Sequence, residues 1–474
     1  MKNSKLIALL NTFNQSEWRN FAEFLASPYF NKNKKVISFF QYLRKQNPIF
    51  DENKLTKAVV FSKIFPKEKF DRKILEDLIY GLLKLAEKFL LVHHVEQNPA
   101  TSNLVILEEL MERKLEKHYR TYHKKTSNLI DNQNNQQALL AQYQLAHISR
   151  QHFLSQDPRK YDPILHTTIE DLDEFYFYNK LKLTCVLLDW KNILSVDVDI
   201  HFIEPVIAHL EEKKEKLSPI MMIYLMIYNL QTKTNTDEAF IRLKQLLKKY
   251  QSILPSKEKT DLYVFGINYC TLQIQQNNNV YFYVEQCLEL YLEGIQHKFI
   301  YENGYLTPWT FKNVVKLGFN LKKYDWTANF IQEYHKHLEI VYQEDAFHFN
   351  MADLQYRKKN YDEALGHLIQ VQYSDIFYVL GTKTILLKIY FETDEEEALL
   401  SMIASFTIYL KRNKKIAQNI KHTYLNFTNY LYKIIRAKRV KLLAIIEEIK
   451  RVQPMTNRRW LLEKVENKLN LQKN

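Results

Sequence analysis

Seven glycines and eleven prolines in 474 residues are too few for the Gly-rich turns of a sheet protein, which favours helices joined by short links. With 46% hydrophobic and 26% charged residues the chain reads as folded rather than disordered. Its net charge of +13 is unevenly placed: residues 1–95 hold 17 Lys/Arg against 9 Asp/Glu, residues 411–474 hold 17 against 4, and the stretch between is acidic. Two readings of the basic ends stay open. They meet an anionic polymer such as nucleic acid, or they express a Lys-, Asn-, Ile- and Tyr-rich composition and face the acidic middle of another copy.

The N-terminal apolar patch, Leu6 to Leu10, is too short for a signal-peptide core. The run "PIMMIYLMIYNL" at 219–230 is shorter than a membrane span of about 20 residues. Cys185, Cys270 and Cys287 are scattered without CxxC spacing and read as small apolar core residues of a reducing compartment. A cytoplasmic protein without a membrane span is expected.

Along the chain, apolar residues recur at helical spacing, as in Ile74, Leu75, Leu78, Leu82, Leu85, Phe89 and Val92. Strict alternation is essentially absent, and roughly twenty helices of about 12 to 25 residues are predicted. Polar links such as "NQNNQQ" (132–137), "QTKTNTD" (231–237), "QQNNN" (275–279) and "KRNKK" (411–415) separate them; Asn and Asp side chains there compete for backbone hydrogen bonds. The chain falls into three regions. Residues 1–97 form a basic N-terminal helical bundle, in which Ser27-Pro28 ends one helix and Asn33 caps the next. Residues 98–215 hold long helices continuous with the third region, 216–474, which shows a rhythm of helix pairs and ends in a basic cap.

The rhythm is clearest when "YDEALGHLIQV" is placed under "EEEALLSMIAS". Ala364 then falls on Ala398, Leu365 on Leu399, Leu368 on Met402 and Ile369 on Ile403, each 34 residues on. Met351, Ala352 and Tyr356 of the preceding helix fall on Ile385, Leu386 and Tyr390. "TDEAFIRLKQL" repeats the pattern with Ala239 and Leu243, and Tyr324 lies 37 residues before Tyr361. A small residue such as Ala364 lets paired helices approach, and Leu368 fills the groove to the next pair. A 34-residue period resembles the tetratricopeptide repeat in divergent form, over about 220–410. Ile376, Ala352 and His348 stand where that family carries its Pro, Gly and Trp. The resemblance implies an all-α, TPR-like solenoid of helix pairs preceded by the small bundle, packed through Ala239, Leu243, Ala352, Tyr356, Tyr361, Ala364, Leu368, Tyr390, Ala398 and Met402. The segment "FLASPYFNKNKKVISFFQYL" is also similar to one recurring in proteins of the Bacteroidetes, which implies a lineage and no activity.

No GxGxxG, GxxxxGK, GxSxG or HExxH can be written, so nucleotide-dependent enzymes and common hydrolases are disfavoured. His166, Glu170 and Glu174 have metal-like spacing on one helix face, but a solvated polar face gives the same spacing and is preferred. Asp345 and His348 resemble half of a helical carboxylate-histidine site with no second half. The candidate anion contacts are Lys411, Arg412, Lys414 and Lys415 at a helix junction, and Lys433, Arg436, Arg439 and Lys441 as a ridge on one helix; a solvated terminal cap explains them as well. The 31 tyrosines either line a groove or fill the core. The expected function is a non-enzymatic scaffold with no cofactor and no bound metal, holding a peptide or partner helix on a groove within about 220–410. The alternative is a nucleic-acid-associated regulator working through the basic ends.

Overall fold

The computed structural model describes residues 1, 3–131, 135–156, 159–194, 196–232, 237–372 and 375–471. The described residues form twenty-three α-helices and no strand. The links "NQNNQQ" and "QTKTNTD" fall partly outside them. The chain divides into two compact units, Met1–Leu183 with Phe202–Met221, and Thr184–His201 with Met222–Asn474.

The first unit opens with α1 (Lys5–Leu10), α2 (Gln15–Ala26), α3 (Lys34–Arg44), α4 (Lys57–Ile64) and α5 (Arg72–Gln97). Local chemistry sets their starts. Asn14 and Glu17 form a capping box on α2, Asn33 accepts from the Lys35 amide at α3, and Asp71 accepts from Lys73 and Ile74 at α5. Their apolar faces meet in an aromatic core, with Phe21 5.0 Å from Phe40 and 5.1 Å from Phe89, and Trp18 stacked on Phe40 at 5.4 Å. Next come α6 (Pro99–Glu112), α7 (Glu116–Asp131), α8 (Gln136–Gln156) and α9 (Ile164–Leu194). Leu107, Tyr119, Ile130 and Ile148 share a second core, and Tyr119 stacks on His152 at 3.9 Å while His152 meets Glu116 at 2.8 Å. At 31 residues α9 exceeds the length expected from the sequence, because no Pro, Gly or polar cluster interrupts it. Its first part contributes buried Thr168, Asp171, Tyr178 and Leu181 to this unit, which closes with α10 (Ile203–Glu212).

The second unit contains α11 (Pro219–Thr232), α12 (Asp237–Tyr250), α13 (Ser256–Gln275), α14 (Val280–Gln296), α15 (Pro308–Asn320), α16 (Tyr324–Tyr334), α17 (Ile340–Arg357) and α18 (Tyr361–Gln370). It ends with α19 (Ile376–Glu392), α20 (Glu396–Arg412), α21 (Gln418–Arg436), α22 (Arg439–Arg451) and α23 (Arg458–Leu471). From α13 to α23 consecutive helices pack as neighbours, and α15 also touches α17, as α17 touches α19.

Four of the turns between neighbours share one geometry. Asn277, Lys322, Lys359 and Asp394 each have positive φ, between 56° and 64°. The next amide in each turn, that of Asn278, Lys323, Asn360 or Glu395, reaches back to Gln273, Gly318, Gln355 or Tyr390 at 2.9–3.0 Å. From Lys322 to Lys359 the turns lie 37 residues apart, the spacing of Tyr324 and Tyr361. From Lys359 to Asp394 they lie 35 apart, so the 34-residue alignment is one residue short. Burial agrees with the longer spacing. Ala364 and Leu368 correspond to buried Leu399 and Ile403, whereas Ala398 and Met402 are half-buried. Ala352 likewise corresponds to Leu387, not Leu386. One residue is a 100° rotation of the helix, and matching alanine to alanine followed composition rather than the buried face.

Two glycines permit close helix approach. A Cβ on Gly381 would lie 2.5 and 2.6 Å from ring atoms of Phe349, where α19 crosses α17. One on Gly318 would collide with the Thr327 hydroxyl of α16.

Left-handed backbone costs a non-glycine residue about 1–2 kcal/mol, so Lys359→Gly is expected to stabilise the chain by about 1 kcal/mol in urea or thermal unfolding. Gly381→Ala, which would help an exposed helix by about 1 kcal/mol, is expected instead to destabilise by roughly 1–3 kcal/mol because it displaces the buried Phe349 ring from its packing on Tyr378.

Candidate ligand-binding cleft

A cleft of about 550 Å³ opens in the second unit between α13, α14 and α15, with Asn192 and Ile193 at the end of α9 on its border. Its wall is mostly apolar, and spacing sets polar groups into it at intervals. On α13, Thr260, Val264, Asn268, Thr271 and Gln275 recur every three or four residues and so share a face. On α15, Trp309, Asn313, Lys316 and Asn320 do the same. The lining is therefore carboxamide and hydroxyl groups between apolar side chains. Asn268 donates its amide to Asp189 at 2.6 Å, and Asn313 donates to the Tyr291 hydroxyl at 3.2 Å. Each retains a carbonyl oxygen able to accept from a ligand N–H. Burial pushes the Asp189 carboxyl up to about 6 against the opposing Asn268 bond, and pushes the Tyr291 hydroxyl up to about 12.

Cations gather beyond the Lys316 edge. Lys312 and Lys316 lie one turn apart on α15, Asp353 and Arg357 one turn apart on α17, and Lys388 on α19. Burial, reinforced by Lys316, lowers Lys312 to about 8; its ammonium sits 5.7 Å from the Trp309 ring and 5.8 Å from that of Phe377. Burial lowers Lys316 as well, with Arg357 adding to it and Asp353 opposing. Burial lowers Lys388 to about 8, and its ammonium lies 5.6 Å from the rings of both Tyr356 and Trp460. The nearby carboxylates are engaged elsewhere: Asp353 pairs with Arg357 at 3.0 Å, and Glu392 with Lys464 at 2.8 Å. Lys312 and Lys388 are thus half-buried ammonium groups without a carboxylate of their own at ion-pair distance, with Lys316 exposed beside them, an arrangement that an incoming anion would relieve.

Glu392 fixes the end of this surface. Its carboxylate accepts from Tyr356 at 2.8 Å, Tyr361 at 2.7 Å, Trp460 at 2.8 Å and Lys464 at 2.8 Å. Burial alone would raise the carboxyl, but these donors outweigh it and hold it down at about 2. Tyr356 and Tyr361, read from the sequence as repeat packing, therefore also work as donors that tie α17 and α18 to α19 and α23. Nothing local marked Glu392, since Trp460 lies 68 residues further on. Of the other packing residues, Ala352, Ala364, Leu243 and Leu368 are buried, while Ala239, Tyr390, Ala398 and Met402 are half-buried.

The candidate anion contacts of the C-terminal run fall elsewhere. Lys411 and Arg412 end α20, and Lys414 and Lys415 follow in an exposed loop. Lys433, Arg436, Arg439 and Lys441 do not share a helix: α21 stops at Arg436 and α22 starts at Arg439, with Ala437 and Lys438 extended between them. The break lets α22 fold back and bury Leu442, Ile445 and Ile449 with Leu431 and Ile434, which overrides helix propensity. Lys433 pairs with Glu448 at 2.7 Å and Arg436 with Glu396 at 3.4 Å, so the ridge is broken and half neutralised. His166 contacts the Tyr161 hydroxyl at 2.6 Å, and buried Asp345 accepts from the Gln372 amide. Among the described residues no three His, Cys, Asp or Glu side chains are grouped to hold a metal ion, and no helix is long and apolar enough to cross a membrane. Set against known families, curated proteins and solved structures, the chain matches none.

A carboxyl held down in the folded state stabilises the fold at neutral pH. That contribution is lost as the pH falls from the ordinary 4.5 toward about 2. Glu392→Gln is expected to cost about 2–3 kcal/mol at pH 7 and to flatten this acid limb, read by urea unfolding across pH with Trp460 fluorescence as probe.

Proposed function

We propose that the chain is a non-enzymatic adaptor of TPR-like helix pairs that holds an extended, acidic peptide in the cleft between α13, α14 and α15. What supports this reading above all is the pairing of an amide-lined cleft with a desolvated cationic edge. A peptide backbone offers N–H and C=O groups that side-chain carboxamides complement, so Asn268, Asn313, Gln275 and Asn320 suit a main chain whatever its sequence. Trp309, Val264 and Ile267 supply apolar contact between those polar points. Lys312, Lys316 and Lys388 favour acidic side chains or a terminal carboxylate at one end, and the Asp189 end disfavours them. The charge asymmetry sets a direction for the bound chain.

Titration of a fluorescent acidic peptide tests the reading. Asn268→Ala and Asn313→Ala are each expected to weaken binding about tenfold, one charge-free peptide hydrogen bond being worth about 1 kcal/mol or somewhat more. Lys312→Ala with Lys316→Ala is expected to abolish the preference for acidic over neutral peptides and to flatten the salt dependence. Equal affinity in all three variants, or tighter binding of duplex DNA than of peptide, would overturn it.

A further inference from the structure

Helix α9 carries a second stripe, apart from its buried face and independent of the cleft. Leu165, Ile169, Leu172, Tyr176, Asn179 and Leu183 alternate at spacings of four and three, the heptad rhythm of a coiled-coil seam. In the first unit the apolar members are exposed by 40, 50, 43, 43 and 60%, respectively, against the fully buried Tyr178 and Leu181 on the core face of the same helix. A strict two-in-seven stripe is narrower than a globular core needs and matches the requirement of a single partner helix.

We propose that this face of α9 pairs antiparallel with the same helix of a second copy of the chain. The flanking charges select both partner and direction. Ile169, Tyr176 and Leu183 take the a positions and Leu165, Leu172 and Asn179 the d positions, which places His166, Asp173 and Lys180 at e. Parallel pairing would set Thr168 beside Asp173 and Phe175 beside Lys180, with no ion pair formed. Antiparallel pairing sets e against e. In the register that layers Leu172 on Leu183 and Tyr176 on Asn179 of the second copy, Asp173 faces Lys180, and the two-fold axis repeats the pair. The neighbouring antiparallel registers, layering Leu172 on Tyr176 or Asn179 on Leu183, would oppose two Asp173 or two Lys180 side chains and are disfavoured. Asp173 is exposed and Lys180 half-buried, so both are placed at a rim. The polar layer, which the two-fold axis repeats, is self-satisfying: the Asn179 amide donates to the Phe175 carbonyl at 2.7 Å, and its Oδ1 is left to accept the Tyr176 hydroxyl across the seam. A single buried Asn in such a seam fixes register at some cost in stability.

The full chain is expected to sediment as a dimer at micromolar concentrations. Asp173→Lys and Lys180→Asp should each weaken the dimer by about tenfold, and the two together should restore it. Leu172→Asp should give a monomer with an unchanged circular-dichroism spectrum, as an exposed position allows. A wild-type chain that stays monomeric at 100-fold higher concentration, or a double charge swap no tighter than either single one, would overturn the proposal.

Discussion

The way four helices of the second unit hand the chain to their partners depends on one backbone constraint. A residue in the left-handed region ends α13, α15, α17 and α19, and the amide after it closes back on the helix it leaves. That turn fixes the angle at which the partner helix returns, and with it the stripe each helix shows. The polar stripes of α13 and α15 line one cleft. Glycine is absent from all four positions; Asn277 and Asp394 are residues that tolerate this backbone, whereas at Lys322 and Lys359 the turn is held against local preference by the packing on either side. Composition sets this choice: a chain with seven glycines uses two of them, Gly318 and Gly381, where helices cross too closely for a side chain.

Polar groups then decide what the packed surface is able to hold. Glu392 collects four donors, and its low pKa measures how far they overcome the cost of burial. Because that carboxylate is saturated, it does little for Lys388, which lies between two aromatic rings with its charge poorly compensated. The same division holds one pair earlier, where Asp353 is committed to Arg357 and leaves Lys312 and Lys316 to each other. Ordered anions beside uncompensated cations make a surface that is rigid and receptive at once.

The helical class was legible because periodicity is local: the apolar positions of α5 that recur at helical spacing include the Leu75, Leu78, Leu82 and Phe89 that are buried. Caps were legible for the same reason, Asn33 among them. The repeat spacing was legible to within a residue, and the error at Ala398 shows why. Sequence similarity rewards matching alanines, whereas folding rewards matching buried faces, and Leu399 is the buried one. The cleft was not legible. Asn268 and Asn313 are two among many asparagines until α13 and α15 are brought together, and Glu392 gains its meaning only from Trp460 and Lys464. Continuity through "KIIRAKRVKLL" was misread because burial of Leu442 and Ile445 acts over a longer range than helix propensity.

Segment charge is a weaker guide to ligand contact than desolvation. The most basic stretch of the chain, 411–474, has exposed cations at 411, 412, 414 and 415, and two more, Lys433 and Arg436, in ion pairs. Exposed, hydrated charge yields little energy to a ligand, since water and salt already screen it. The half-buried cations that burial has pushed down to about 8 lie in the acidic middle of the chain, at Lys312 and Lys388. There the loss of hydration has already occurred on folding, so an arriving carboxylate meets an ammonium group at lower further cost. A net negative segment thereby presents the more favourable site for an anion, because what matters is the environment of individual side chains and not the charge summed over the whole segment.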